Sequence, residues 1–180
     1  IDEAHNLTKS AYDQFRVEWS EQQVLYNLQN LDPSFSRSAR WNNIINSIGE
    51  KTPDLIGLRD KLKREVLKAK DHLNILMERL REEKQHSFNS DKSYQEQLIL
   101  KNISKEYAPL KAEINSMRNA LESIMRITSS LKKATLELDS DRSKYPILHA
   151  SLDRGLEIIV GLIDSLIMLT GDQDPEWVYW

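Results

Sequence analysis

Two carboxylates and an imidazole stand close together in the stretch Ile1-Asp2-Glu3-Ala4-His5-Asn6-Leu7. An apolar residue followed by Asp-Glu-Ala-His has the form of a strand end that delivers polar groups to a nucleotide site. In phosphoryl-transfer sites of this kind an acidic residue holds Mg²⁺ and a neighbouring polar group positions the attacking water. Such a site also needs a Gly-rich loop ending in Lys-Ser/Thr to cradle the β- and γ-phosphates, and the 180 residues contain none. The chain by itself is therefore expected to lack ATPase activity. It reads as a piece of a larger protein that starts in the second half of a nucleotide site.

A second set of chemistry-bearing residues is basic. Arg59, Lys61, Lys63, Arg64, Lys68 and Lys70 are interleaved with Asp60, Glu65 and Asp71. The local positive excess suits phosphate contacts, which give affinity that falls with salt and carries no sequence preference. The same pattern also suits an ordinary solvated helix face of mixed sign. Arg37, Arg40 and Trp41 form a third set, in which an indole stacks a base or, beside Ile44, Ile45 and Ile48, anchors a core. Trp19, Trp177, Tyr179 and Trp180 read as packing residues.

Metal chemistry finds little here. With no Cys, disulfides and thiolate-held clusters are excluded within this piece. The Glu-x-x-His spacing of di-iron bundles occurs at Glu83 and His86 with no second copy. His72 and His149 stand alone as surface or packing residues. There is no Ser/His/Asp or Gly-x-Ser-x-Gly arrangement.

The elements that must position these groups are helical. Apolar residues make up 39% and charged residues 29%, with five Gly and five Pro, which points to helices with wet faces. The formal charge is −3, so any nucleic-acid contact must come from a local patch. No apolar run reaches the roughly 20 residues of a membrane span. The longest, Leu156 to Leu169, is interrupted by Glu157, Gly161, Asp164 and Ser165.

The spacing predicts a short helix over Asn6–Gln14 and a strand over Phe15–Trp19, where apolar and polar residues alternate. Ser20 and Gln23 make a capping box before Val24, Leu25, Leu28 and Leu31, and Asp32-Pro33 stops that helix. A short helix runs from Arg40 to Ile48. Thr52-Pro53 opens a long one along Leu55, Leu58, Leu62, Val66, Ala69, Leu73, Leu76 and Leu80. A polar tip from Gln85 to Ser93 and a segment over Glu96–Ile103, which suits a short strand or a helix and is read as a strand, lead to a second long helix starting near Tyr107 to Pro109. It carries Leu110, Ile114, Met117, Leu121, Ile124, Ile127, Leu131, Ala134 and Leu138. Pro146 opens a third, with Leu148, Leu152, Gly155, Ile159, Leu162, Leu166 and Leu169, capped by Gly171.

The expected fold class is therefore mainly α. It is an antiparallel helical bundle with two long helices, a third buried helix and a small β element at the base formed by the two ends, near 15–19 and 176–180. The chain divides into 1–14, the box with its leading helix, and 15–180, the helical part.

Asp2-Glu3-Ala4-His5 followed by Asn6-Leu7, with the weaker ending Trp177-Val178-Tyr179-Trp180, resembles the Walker B box and Arch boundary of the DinG/XPD-type superfamily 2 DNA helicases, more DinG-like than XPD-like. The resemblance implies that residues 1–14 end a motor segment and that 15–180 are an insertion, the Arch domain of an ATP-dependent DNA helicase that helps enclose single-stranded DNA during 5′–3′ translocation and unwinding. It implies Mg²⁺ coordination through ATP by Asp2, activation of water by Glu3, and coupling of nucleotide state to the motor by His5, all only within the full motor. ATP and Mg²⁺ are cofactors of the parent, with none in this segment. Where relatives carry an iron–sulfur cluster it precedes the box. Partners would be single-stranded DNA and the parent's own motor domains, the setting DNA repair in the cytoplasm, with no membrane. Two alternatives stay open: a parent that acts mainly as a nuclease with a DinG-like motor, and a free-standing helical protein-interaction module.

Overall fold

In the computed structural model of this chain, the structure describes residues 19–35, 39–49, 52–85 and 107–171. These residues are mainly helical, and there is no strand among them. In order they form α1 (Glu21–Leu31), α2 (Ala39–Gly49), α3 (Pro53–Gln85), α4 (Lys111–Leu138) and α5 (Pro146–Thr170), with a 3-10 turn at Ala108–Leu110 leading into α4. The expected helix over Asn6–Gln14, the strand over Glu96–Ile103 and the pairing of Phe15–Trp19 with Trp177–Trp180 lie outside the described residues. Trp19 itself belongs to no regular element. Of the polar tip, Gln85 is the last residue of α3, and residues 86–93 lie outside the described set.

The helix ends follow their local chemistry. Ser20 Oγ accepts from the Gln23 N–H at 3.3 Å, satisfying one of the orphan donors of α1. Asp32 ends α1, its N–H donating to Leu28 and Gln29 carbonyls. Pro53 opens α3, where its missing N–H removes no bond. The Thr52 hydroxyl donates backwards to the Ile48 carbonyl at 3.0 Å, tying the α2–α3 turn. Pro109 lies in the 3-10 turn, and α4 proper begins at Lys111. Gly171 ends α5 with its N–H donating to the Ile167 carbonyl at 2.7 Å. A Cβ there would come within 2.7 Å of that carbonyl oxygen, so the close approach requires glycine.

Each helix buries most of the stripe its spacing defines. Val24, Leu28 and Leu31 of α1 are buried, as are Leu55, Leu62, Val66, Ala69, Leu73 and Leu76 of α3. Leu58 and Leu80 pack half-buried against them. On α4 the buried row includes Ile114, Met117, Leu121, Ile124 and Leu131, and on α5 it includes Leu148, Leu152, Ile159, Leu162 and Leu166. Burying one such Leu or Ile stabilises by ~1.5–3 kcal/mol, against ~0–1 kcal/mol for an exposed ion pair, so the stripes dominate the fold.

The second long helix, α4, packs on α3 along one side and on α5 along the other. Arg79 of α3 lies 3.6 Å from Glu113 of α4, while Glu65, four turns earlier, meets Ser123, so the two helices run in opposite directions. Lys132 of α4 pairs with Asp153 of α5 at 2.6 Å, and the early residues Asn115 and Arg118 share a cleft with Leu166 and Ile167, so α4 and α5 are opposed as well. Arg81 of α3 is paired with Glu21 at the start of α1. The beginning of α1, the end of α3, the beginning of α4 and the end of α5 therefore gather at one end of the helices.

The α4 stripe departs from the expected one at two places. Thr128 and Thr135 are buried, while the neighbouring Ile127 and Ala134 are only partly so, and Leu138 is 41% exposed. Each threonine hydroxyl donates to the carbonyl four residues back, at 2.9 Å to Ile124 and 2.8 Å to Leu131. A polar group satisfied within its own helix enters a core at little cost.

Candidate functional site

The six basic residues on α3 divide by what they touch. Arg59 donates from Nε at 3.0 Å and Nη2 at 2.7 Å to Asp60 Oδ1, and from Nη1 to Asn46 Oδ1 on α2. Lys70 Nζ donates to Asp32 Oδ2 at 2.9 Å, joining α3 to the end of α1. Both cations are spent on helix-to-helix or local contacts and are half-buried. Lys68 pairs with Glu65 one turn back at 2.7 Å yet stays 62% exposed.

Lys61, Lys63 and Arg64 are exposed, and Lys61 and Lys63 hold no ion pair among the described residues. At 100° per residue, Lys61, Arg64 and Lys68 form one row on the outer side of α3. Leu67, 47% exposed, stands beside it. A row of cations with an apolar neighbour on a helix surface can contact phosphates without reading bases.

Two carboxylates near the α3 cations lie below their ordinary values. The Lys68 ammonium is the main reason the Glu65 carboxyl lies below its ordinary value, outweighing the opposing effect of burial, with Ser123 and Arg64 adding to it. Burial pushes the Asp32 carboxyl up, but Lys70 and the Ser34 N–H together hold it below the usual range.

The other expected site residues fall elsewhere. Trp41 is 6% exposed and packs in the core with Ile45 and Ile48, so its indole anchors α2 and presents no face to a base. Arg37, the side chain of Arg40, and the whole box with Asp2, Glu3 and His5 lie outside the described residues. Among the described residues no group of three or more His, Cys, Asp or Glu is placed to hold a metal ion, and no helix is long and apolar enough to cross a membrane.

Sequence reasoning missed one buried polar centre and one cleft. His149 Nε2 donates to Asp139 Oδ2 at 3.1 Å, and both side chains are nearly inaccessible, at 3% and 2%. Asp139 also accepts from the backbone N–H of Tyr145 at 2.8 Å and of Lys144 at 3.2 Å, closing the α4–α5 turn. His149 Nδ1 is buried and has no hydrogen-bond partner. Closed to any substrate, this pair fastens a turn. The signal for it was the spacing of Asp139 and Pro146 around a helix start, which puts a carboxylate next to free N–H groups. The cleft lies between the start of α4 and the end of α5 and is bordered by Lys111, Asn115 and Arg118. No single stretch of sequence marks it, because its two walls are some fifty residues apart.

No protein-family model matches this chain, and no curated protein or solved structure matches it.

Proposed function

We propose that this chain is the Arch-type insertion of a DinG-like ATP-dependent DNA helicase, forming part of a wall around single-stranded DNA and not catalytic on its own. The observation that carries the reading is the box Ile1-Asp2-Glu3-Ala4-His5 followed by a largely helical chain. In the parent, Asp2 would hold the Mg²⁺ of bound ATP, Glu3 would activate water, and His5 would report nucleotide state. The helices are read as an antiparallel bundle standing on a small β element made from Phe15–Trp19 and Trp177–Trp180. Support comes from the gathering of the start of α1 and the end of α5 at one end of the helices, as an insertion with a single point of attachment requires. The outward row Lys61, Arg64 and Lys68, with Lys63 on the flank beyond Leu67, supplies sequence-independent phosphate contact.

Titration of fluorescent single-stranded DNA with the chain at two salt concentrations tests the DNA role. Binding that weakens as salt rises is expected, and reversing Lys61, Lys63 and Lys68 to Glu should weaken it further. Unchanged affinity after the reversal removes the α3 row from the interface. The helicase parentage has its own test: a phosphate-binding loop encoded upstream and the remaining motor motifs downstream. ATP hydrolysis by the 180-residue chain alone would contradict the assignment of its catalytic half to another part of the parent.

A further inference from the structure

The cleft at the gathered ends has a volume of about 320 Å³. Ile114 and Leu166 are buried, and the exposed Ile167, Lys111, Asn115 and Arg118 border it. Pockets for small organic groups run from ~300 to ~1,000 Å³, so this one admits a single base-sized group and excludes a duplex. Lys111 and Arg118 lie on one face of α4 two turns apart, roughly 10 Å along the axis. Lys111 has no ion pair among the described residues, while Arg118 donates to Glu122 Oε1 at 2.9 Å on its own helix. Two other cations at this end are engaged, Arg79 with Glu82 and Glu113, and Arg81 with Glu21.

We propose that this cleft seats one nucleotide of a single strand, its base against Ile114 and Ile167, its flanking phosphates on Lys111 and Arg118, and Asn115 at the base edge. The inference rests on the Arch reading above and deepens it. An insertion faces its parent at the end where its chain enters and leaves, and a strand held between the two must pass that end. The α3 row is set back from it, since Lys68 lies roughly 16 Å along the helix from Arg79, the residue that faces Glu113. A cationic rim over an apolar, base-sized floor offers phosphate contact together with apolar contact for one base.

The test is fluorescence anisotropy of a labelled oligothymidylate with the 180-residue chain across a salt series, with circular dichroism to check that each variant is folded. The double variant Lys111→Gln/Arg118→Gln should bind at least about tenfold more weakly and flatten the salt slope by about 1.4, since each phosphate contact on a single strand contributes ~0.7. Ile167→Gln removes the apolar wall at an exposed position without altering charge, and should weaken binding while the slope stays the same. If both variants bind like the parent sequence while the Lys61, Lys63 and Lys68 reversal weakens binding, the cleft proposal is overturned and the Arch reading stands. If the unaltered chain binds no single strand at low salt, the cleft proposal is overturned too. Helicase parentage is then judged on the upstream phosphate loop alone.

Discussion

His149 Nε2 stands 3.1 Å from Asp139 Oδ2, and that single carboxylate also takes two backbone N–H groups from the turn between α4 and α5. The fastening is asymmetric. Removing the acceptor strands three donors, one buried and two part-buried, whereas removing the imidazole leaves Asp139 with two donors and also removes the orphaned Nδ1. An unsatisfied buried donor is more damaging than a lost pair. Asp139→Ala should therefore lower the midpoint of thermal unfolding clearly more than His149→Leu does. Equal losses, measured by circular dichroism, would show that the carboxylate is not the hub of the turn.

Acid should weaken the fold through three aspartates. Burial pushes the Asp139 carboxyl up, but the Tyr145 and Lys144 N–H groups, with Asp141 and His149, hold it below 3.8. Lys132 is the chief cause of the lowered Asp153, and Asp32 is lowered by Lys70 and Ser34 against the opposing effect of burial. A carboxyl whose folded value is depressed binds fewer protons folded than unfolded. Its contribution is thus present above the unfolded value of 3.8 and is lost as pH falls through the lower folded value. Urea midpoints should hold steady down to the ordinary carboxylate range and then fall. In Lys70→Met the Asp32 share of this acid loss should shrink, because burial is then opposed by Ser34 alone and the folded value moves back toward the unfolded one, and stability at neutral pH should drop by about 1 kcal/mol.

Two glycines sit in helices with open space where a Cβ would go, Gly57 in α3 and Gly161 in α5. Alanine at each should stabilise by ~0.5–1 kcal/mol, because glycine loses more backbone freedom on entering a helix. Gly171→Ala should do the reverse, since its Cβ would press on the Ile167 carbonyl oxygen at 2.7 Å. Denaturant titration of the three variants separates these signs, and a stabilising Gly171→Ala would contradict the close approach at the end of α5.

Leu121 is fully buried in α4, the helix that packs on both α3 and α5. Leu121→Ala should cost ~2–5 kcal/mol through lost burial and the cavity left behind. A loss below 1 kcal/mol would mean that α4 is not held between its neighbours.

Much of the helical framework could be read from spacing. The stripes Leu55 to Leu76 and Leu148 to Leu166 are buried as their three-and-four periodicity requires. Ser20, Pro53, Pro146 and Gly171 mark helix ends through local backbone chemistry, which needs no knowledge of the fold. The α4 seam was displaced toward Thr128 and Thr135, because a hydroxyl that bonds its own helix no longer counts as polar in the core. Local periodicity cannot register that.

The candidate site was legible only as a collection of charges. From sequence, Arg59, Lys61, Lys63, Arg64, Lys68 and Lys70 are equivalent cations on one helix. Packing separates them, giving Arg59 to Asp60 and Asn46, giving Lys70 to Asp32, and leaving Lys61, Lys63 and Arg64 facing outward. Sequence alone also left Trp41 divided between stacking and packing, and its burial beside Ile45 assigns it to the core.

Among the described residues, the amino-acid order by itself determined most of the helix ends and the apolar side of each helix, since these depend on neighbours within a few residues. Which cations stay free, that Asp139 and His149 meet, and that Lys111 and Arg118 share a cleft with Ile167 were decided only when α3, α4 and α5 packed together. Those relationships join groups on different elements, and their free energies come from desolvation and geometry that exist only once the helices are in contact.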